Sequence, residues 1–298
     1  MRILITVNGK AGSFQGSEFT TENIQAEFAK YGISPEIYDV EEHLPEDIQS
    51  YIDNGNYDVV AACGGDGTVN LTAQLLKGSD IAFGVIPSGT LNHFARDLNI
   101  PLNLADSVKL IVQGKSFLVD TACVNGKLFL NNSSIGFYPL TVRKRETQQS
   151  RLGRNKWLSM FYGIFSVLRK FPLYAVRISA NNETLIFRTP VVFIGNNEYS
   201  TELLTIGSRN TLTGGKLCLY MSRSNTRLKM LKMVIYTFLN RLKDSGELEM
   251  RMADEIIIES RKKNLSVSID GEVKEMVPPL HYEIKPRSLK VIFPGNGS

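Results

Sequence analysis

Cys63 to Asn70 reads CGGDGTVN, three glycines around one carboxylate, between an apolar run and a segment with helical spacing. Asp58 to Ala62, just before it, has the Val and Ala content of a strand buried on both faces. Val69 to Lys77, just after it, places Val69, Ala73 and Leu76 on one helix face. Gly64 to Thr68 is therefore expected to be a strand-to-helix turn. Glycine lets the backbone approach a ligand, and free N–H groups at a helix start favour an anion, so the turn suits a phosphate. A tight corner without a ligand satisfies the same pattern equally well. Asp66 shifts the balance, because an unpaired carboxylate beside a phosphate repels it unless a metal ion, a hydroxyl or a ribose intervenes.

The same grammar extends over the first 115 residues or so. RILITV, SPEIYDV, YDVVAAC and DIAFGVIP alternate with helical patterns over Phe19 to Tyr31, Leu44 to Asn54, Val69 to Lys77, Thr90 to Leu98 and Asn103 to Gln113. Such alternation predicts a parallel sheet covered by helices on both faces, with ligands gathering at the carboxyl ends of the strands. A second turn, SGTLNHFARDL, sets Ser88, Gly89 and Thr90 before a helix, and a third, NGKAGS from Asn8 to Ser13, adds Lys10. None matches the Walker phosphate loop or G-x-G-x-x-G, and the protein-kinase signatures H-R-D and D-F-G are missing. Beyond about residue 116 the pattern turns β-rich, with alternating segments such as GGKLCLYMS and LSVSIDGEV separated by Asn and Gly turns. That predicts a largely antiparallel β-sandwich carrying one or two helices. The expected fold class is α/β plus β: a three-layer α/β nucleotide-binding domain over 1–120, and a β-sandwich substrate domain over 121–287.

The 298 residues are 43% apolar, ample for a core in each domain. Three cysteines without metal or disulfide spacing point to a reducing interior. The N-terminus, MRILITVNGKAGS, reads as a first strand rather than a secretion signal. The longest uncharged apolar run, Trp157 to Leu168, falls short of the ~18 residues of a membrane span. Charge is uneven: Arg143 to Lys156 and Arg223 to Lys243 hold twelve of the 34 basic residues and one of the 30 acids. Thr226 to Lys243 mixes apolar and basic residues with no acid, and Arg143 to Lys170 joins a basic stretch to WLSMFYGIFSVL. Either alone fits a helix packed on the sandwich. Together they favour contact with an anionic membrane surface, at about 1 kcal/mol per nearby Lys or Arg. No helix-turn-helix, zinc-finger or RNA-binding motif is present, which disfavours nucleic acid.

GGDGTVN followed by PSGTLNHFARDLNIP resembles the diacylglycerol kinase catalytic-domain family, soluble bacterial lipid kinases related to sphingosine and ceramide kinases and to NAD kinase. VSIDGEV, with PPLHYEIKPRSLKVIFP after it, is similar to that family's closing motif. The resemblance spans nearly the whole chain. It implies an N-terminal domain like that of NAD kinase, a C-terminal β-sandwich, an active site between them, and a last strand, about 288–298, that can return to the first domain. It further implies ATP contacts from Asn8, Gly9, Lys10, Ala11 and Gly12, from Gly64, Gly65, Asp66, Gly67, Thr68, Val69 and Asn70, and from Ser88, Gly89, Thr90 and Asn92. Asp66 would meet the catalytic Mg²⁺, directly or through water. Asp270 and Glu272 would act on the lipid hydroxyl. In an extended segment the two would point the same way, whereas their bland alternative is a solvated β-turn. Glu272 is the first choice as base, with Asp270 as its partner or a metal-side acid.

Two departures stand out. Many relatives carry aspartates before the GKLCLY position that bind a structural Mg²⁺, whereas this chain has Thr213, Gly214 and Cys218, so that metal is expected to be absent. Gly9 stands where relatives usually have proline. His93 reads as a helix-face residue, and His43 and His281 are assigned nothing. The expectation is a cytoplasmic, peripherally membrane-associated enzyme that phosphorylates a lipid alcohol such as diacylglycerol, using ATP and Mg²⁺, with a homodimer left open. The alternatives are an NAD kinase-like kinase of a soluble substrate and a nucleotide-binding protein without turnover.

Overall fold

Every residue of Ile3–Val7 (β1), Val59–Gly64 (β3) and Ala82–Pro87 (β4) is buried in the computed structural model, as strands covered on both faces require. The structure describes residues 1–8, 18–40, 45–136, 173–181, 183–199, 209, 211–223, 226, 228, 229, 232 and 246–295. The chain divides into two compact units, Met1–Thr121 with Lys285–Ser298, and Ala122–Ile284.

In the first unit β1 pairs in parallel with β2 (Glu36–Asp39) and β3, and β3 with β4. Val7 lies opposite Cys63 and Cys63 opposite Ile86, so three adjacent strands end at one edge of the sheet. The end of β16 (Leu280–Ile292) adds beside β4, with Val291 opposite Phe83, and β5 (Ser116–Val124) pairs with β16. One face buries Ile24 and Phe28 of α1 (Thr21–Ala29) and Leu104, Val108 and Ile111 of α5 (Leu104–Gln113) against Ile3, Ile5, Val59 and Ala61. Each such side chain contributes roughly 1.5–3 kcal/mol. α3 (Asp66–Leu75) covers the opposite face, with α2 (Pro45–Gly55) packed beside it. There the Thr6 hydroxyl meets that of Thr72 at 2.7 Å, and Thr72 donates to the Thr68 carbonyl at 2.9 Å. Helix starts follow local chemistry. Thr20 and Asn103 accept from the N–H groups of Asn23 and Asp106, and α2 opens on Pro45 with Glu46 and Asp47 in its first turn.

The second unit is a sandwich of antiparallel sheets. One runs β12 (Leu248–Ala253), β11 (Leu217–Ser222), β10 (Val191–Asn196), β7 (Asn132–Gly136), β14 (Leu265–Ile269) and β15 (Glu272–Met276). In the other, the first half of β16 pairs with β13 (Glu255–Ser260), β13 with β8 (Tyr174–Ala180), and β8 with β9 (Glu183–Thr189). Alternate residues fill the core between them, among them Ile135, Ile194, Leu219 and Val267 from one sheet and Ile178, Ile256, Leu280 and Tyr282 from the other. A short β6 (Lys127–Phe129) pairs with β5 through Asn125 and Gly126, both at positive φ, the turn chemistry expected of Asn-Gly. The helices expected with the sandwich, the stretch Arg143 to Lys170 and most of Arg223 to Lys243 lie outside the described residues. No helix among the described residues is long and apolar enough to cross a membrane.

At the edge of the first sheet opposite the three strand ends, Glu36 gathers a polar network. Its carboxylate accepts from Tyr57 at 2.6 Å, from Tyr51 at 2.7 Å and from Arg2 at 3.0 Å. Arg2 also bonds the Gly55 carbonyl and lies over the Tyr57 ring. The Tyr57 and Tyr51 hydroxyls, then Arg2, hold the Glu36 carboxyl down to about 2. A carboxyl whose folded value is depressed stabilises the fold above its unfolded value near 4.3, and that stability is lost as pH falls toward 2. Glu36→Gln should thus melt below the parent at pH 7, with the gap closing between about pH 4 and pH 2. A gap that stays constant across that range would show that Glu36 acts by shape rather than charge.

Candidate functional site

Two groups of polar residues, one in each unit, contain the residues singled out above. The first forms at the ends of β3 and β4. The helix expected to start at Val69 starts instead at Asp66, because Gly65 is extended (φ −85°, ψ −173°) and serves as N-cap. Asp66, Gly67 and Thr68 are its first turn, where an acid suits the helix dipole, and no side chain caps it. The second helix is later than expected: α4 (His93–Asp97) starts after Asn92, which adopts the left-handed conformation at φ 50°. Asparagine tolerates that conformation better than most residues. Its amide donates to the Gly89 carbonyl at 2.8 Å and the Pro87 carbonyl at 3.3 Å, and its Oδ1 accepts from the Gly89 N–H at 3.0 Å.

The turns interlock. The Ser88 N–H donates to the Gly64 carbonyl at 3.1 Å. A Cβ on Gly89 would lie 2.5 Å from the Gly65 Cα, so only glycine fits there. Asp66 is not an unpaired acid: its Oδ1 accepts from the His93 N–H at 2.9 Å, tying the first turn to the start of α4. Gly65, Asp66, Asn70 and Gly89 are partly exposed and Gly67 and Thr90 exposed, whereas Thr68, Ser88 and Asn92 are buried and Val69 packs in the core. Val69 could therefore meet a ligand only through its backbone. Burial pushes the neighbouring Cys63 thiol up to about 12, against an opposing hydrogen bond with Ser88. Asn8 ends the described part of the first turn; Gly9, Lys10, Ala11 and Gly12 lie outside the described residues, as does His43.

The second group is the β14–β15 hairpin. Asp270 and Gly271, at φ 46° and 91°, form a two-residue turn with Ile269 opposite Glu272. The extended arrangement that would aim Asp270 and Glu272 alike does not occur, because Asp-Gly with both φ positive makes the tight turn a right-twisted hairpin favours. The Asp270 carboxylate accepts from three successive backbone N–H groups, Leu130 at 2.7 Å, Asn131 at 2.8 Å and Asn132 at 3.0 Å. Glu272 is 57% exposed and pairs with Lys274 at 3.1 Å. Nearby, Arg209 donates to the Leu130 carbonyl at 2.7 Å and Asn196 to the same oxygen at 2.8 Å. The sequence offered no signal for the partners of Asp66 or Asp270, which are backbone amides 27 and 138–140 residues away. His93 is exposed at the start of α4, and the His281 backbone pairs with Asn125.

Mg²⁺ is bound in proteins by carboxylates, water and phosphate oxygens. Asp66 fits an ion shared with a nucleotide, since only one of its oxygens is engaged by the His93 N–H. Thr213, Gly214 and Cys218 do not fit a structural Mg²⁺, being a hydroxyl, no side chain and a buried thiol. Among the described residues no cluster of three or more His, Cys, Asp or Glu could hold a metal. A cavity of about 80 Å³ lined by Ile178, Leu185, Leu219 and Arg251 includes no candidate site residue.

Residues 2–124 match the family described as diacylglycerol kinase catalytic domain, and residues 141–293 the YegS C-terminal NAD kinase beta sandwich-like domain. The chain is 27% identical over 248 residues to a diacylglycerol kinase of Mycobacterium tuberculosis (strain H37Rv), covering 80% of this chain and 78% of that one. An uncharacterized Synechocystis protein is 28% identical over 244 residues, 80% of this chain and 55% of that one. A Klebsiella pneumoniae relative is 34% identical over 144 residues, 47% of each. The chain thus spans about half the length of those last two relatives. A solved chain from Bacillus anthracis str. Sterne superposes with a TM-score of 0.74 at 26% identity, covering 98% of this chain and 96% of that one. A second, titled a diacylglycerol kinase, gives 0.73 at 24%, with the same coverage. With both of its segments matched, the α/β unit and the sandwich alike, the chain belongs to the diacylglycerol kinase catalytic-domain family with a YegS-type C-terminal β-sandwich.

Proposed function

We propose that this protein transfers the γ-phosphate of ATP to the hydroxyl of a lipid alcohol, diacylglycerol foremost. The observation that carries the reading is the interlocked pair of turns at the ends of β3 and β4. The uncapped N–H groups of α3 lie there beside Gly89, with one carboxylate at their rim. Backbone N–H groups and a helix start are fitted to polyphosphate, and phosphoryl transfer needs mainly position and charge neutralisation. Mg²⁺, when bound with the nucleotide, neutralises charge on the transferring group, and Asp66 is the residue that would hold it.

The acceptor hydroxyl must lose a proton as its oxygen attacks phosphorus and the bond to the β-phosphate oxygen breaks, with ADP leaving. Glu272, solvent-exposed and paired with one lysine, is the group we assign to take it. Asp270 already gives its lone pairs to three N–H groups, so its role is to hold the Leu130–Asn132 segment. The basic and aromatic composition of Arg143 to Lys170 and Arg223 to Lys243 supports a cytoplasmic protein that visits anionic membranes. A nucleotide-binding protein without turnover is the second reading, favoured by the loss of acids at Thr213, Gly214 and Cys218. A soluble-substrate kinase of the NAD kinase type is the third.

Labelled ATP with Mg²⁺ and a mixed-lipid extract decides among them: label in the organic phase supports the first, bound but unspent ATP the second, and label on a soluble acceptor the third. Asp66→Asn, which keeps an acceptor for the His93 N–H, should melt like the parent yet lose the thermal shift given by Mg·ATP, whereas Asp66→Ala should lose both. If Asp66→Asn keeps the full shift, the acid serves only as a cap. Glu272→Gln should lower kcat by about 10²- to 10⁴-fold with little change in melting. Asp270→Ala should instead cost on the order of 2–4 kcal/mol, because it strands three N–H groups.

A further inference from the structure

The Leu130 carbonyl oxygen takes two hydrogen bonds, from Asn196 Nδ2 at 2.8 Å and from Arg209 Nη1 at 2.7 Å. Leu130 and Asn196 are buried, where an unpaired oxygen would be costly. Asn196 alone meets that need, and its backbone N–H also donates to the Asn131 carbonyl at 2.9 Å. The guanidinium is therefore more than the backbone requires. A partly buried cation carries a desolvation cost that one redundant hydrogen bond does not offset, so it needs an answering charge.

That charge lies on the other side of the same peptide groups. Asp270 accepts from the N–H groups of Leu130, Asn131 and Asn132, while Arg209 donates to the Leu130 carbonyl and, at 3.5 Å, to Asn131 Oδ1. An anion against the N–H groups and a cation against the carbonyl both suit the peptide dipoles between them, and each strengthens the hydrogen bonds made by the other. The clamped segment joins β6 to β7, and the Asp270 N–H donates back to its Asn132 carbonyl at 2.9 Å. Glu272 follows two residues after Asp270, on the last strand of the six-stranded sheet. The hold of the Asp270–Gly271 turn on Leu130–Asn132 thus sets where that end of the hairpin lies.

We propose that Arg209 is a positioning residue for phosphoryl transfer: acting through Leu130–Asn132 and Asp270, it fixes the hairpin turn that carries Glu272. The inference rests on the lipid kinase reading above, with Glu272 as base. A general base works only within hydrogen-bond reach of the hydroxyl it deprotonates, and a displacement of ~1 Å can cost on the order of 10²-fold in rate. Arginine suits the task because its planar fork reaches the Leu130 carbonyl and the Asn131 amide oxygen together, a geometry that a lysine ammonium does not reproduce.

The test compares the full-length parent with Arg209→Met, Arg209→Lys, Asp270→Asn and the Arg209→Met, Asp270→Asn double variant. Arg209→Met and Asp270→Asn should each lower melting by roughly 3–8 °C, and the double variant should lose less than the sum, because both charges vanish together. With Mg·ATP and dioleoylglycerol micelles, well below each melting point, Arg209→Met should lower kcat about 10- to 100-fold while both KM values stay within about twofold. Arg209→Lys, which keeps the charge and one donor, should recover part of that loss. Amide exchange at Leu130, Asn131 and Asn132 should quicken about tenfold in Arg209→Met, although a guanidinium accepts no hydrogen bond from them. Lower melting with unchanged kcat would make Arg209 merely structural and overturn the proposal, as would additive melting losses. Should Arg209→Met not fold, kcat and exchange are read on Arg209→Lys, where no change in either overturns it. If the parent phosphorylates no lipid, the kinase reading fails by itself, and exchange then decides: faster exchange sustains the link from Arg209 to the turn, and unchanged protection removes it.

Discussion

Gly65 and Gly89 lie against each other where β3 and β4 end, and much of the first unit follows from that approach. A side chain at Gly89 would strike the Gly65 backbone at 2.5 Å. The parallel ladder therefore continues past the strands, through the Ser88 N–H to the Gly64 carbonyl, into backbone that still has N–H groups to offer. Asp66 and Asn92 fasten the pair, one across the gap to α4 and one within its own turn. Backbone amides held in this way have their ordering entropy settled during folding.

The first unit keeps two different polar groupings at opposite edges of one sheet. Glu36, Arg2, Tyr51 and Tyr57 close the edge where β1 and β3 begin, the carboxylate accepting from all three of its partners. The glycine turns at the other edge leave donors exposed. The second unit shows a related contrast. Its core face is apolar, while the far face of the six-stranded sheet carries buried hydroxyls that nothing among the described residues satisfies. Local departures from full satisfaction of this kind are where proteins store functional capacity.

How much of this was legible beforehand depended on range. Val59–Gly64 and Ala82–Pro87 could be read as buried parallel strands because a doubly covered strand shows as a continuous apolar run. The sandwich showed in its period-two alternation and in Asn-Gly and Asp-Gly turns. Helix starts were misplaced by three residues at both glycine turns. Asp66 can begin a helix as well as precede one, and nothing local shows that Asn92 turns left-handed. Most opaque was the carboxylate of Asp270. A dipeptide Asp-Gly announces a turn, but that its acid would hold the amides of Leu130, Asn131 and Asn132 depends on which strand lies alongside. Sequence spacing carries no trace of that.

β16 has a consequence for how the molecule is made. The strand leaves the sandwich and finishes beside β4, so the unit that begins at Met1 is completed only by residues near Ile292. During synthesis the nascent α/β layer has to wait, with β4 unpaired on that side, until residues near Val291 have emerged. Cutting the chain at residue 121 therefore yields a fragment whose sheet lacks the end of β16.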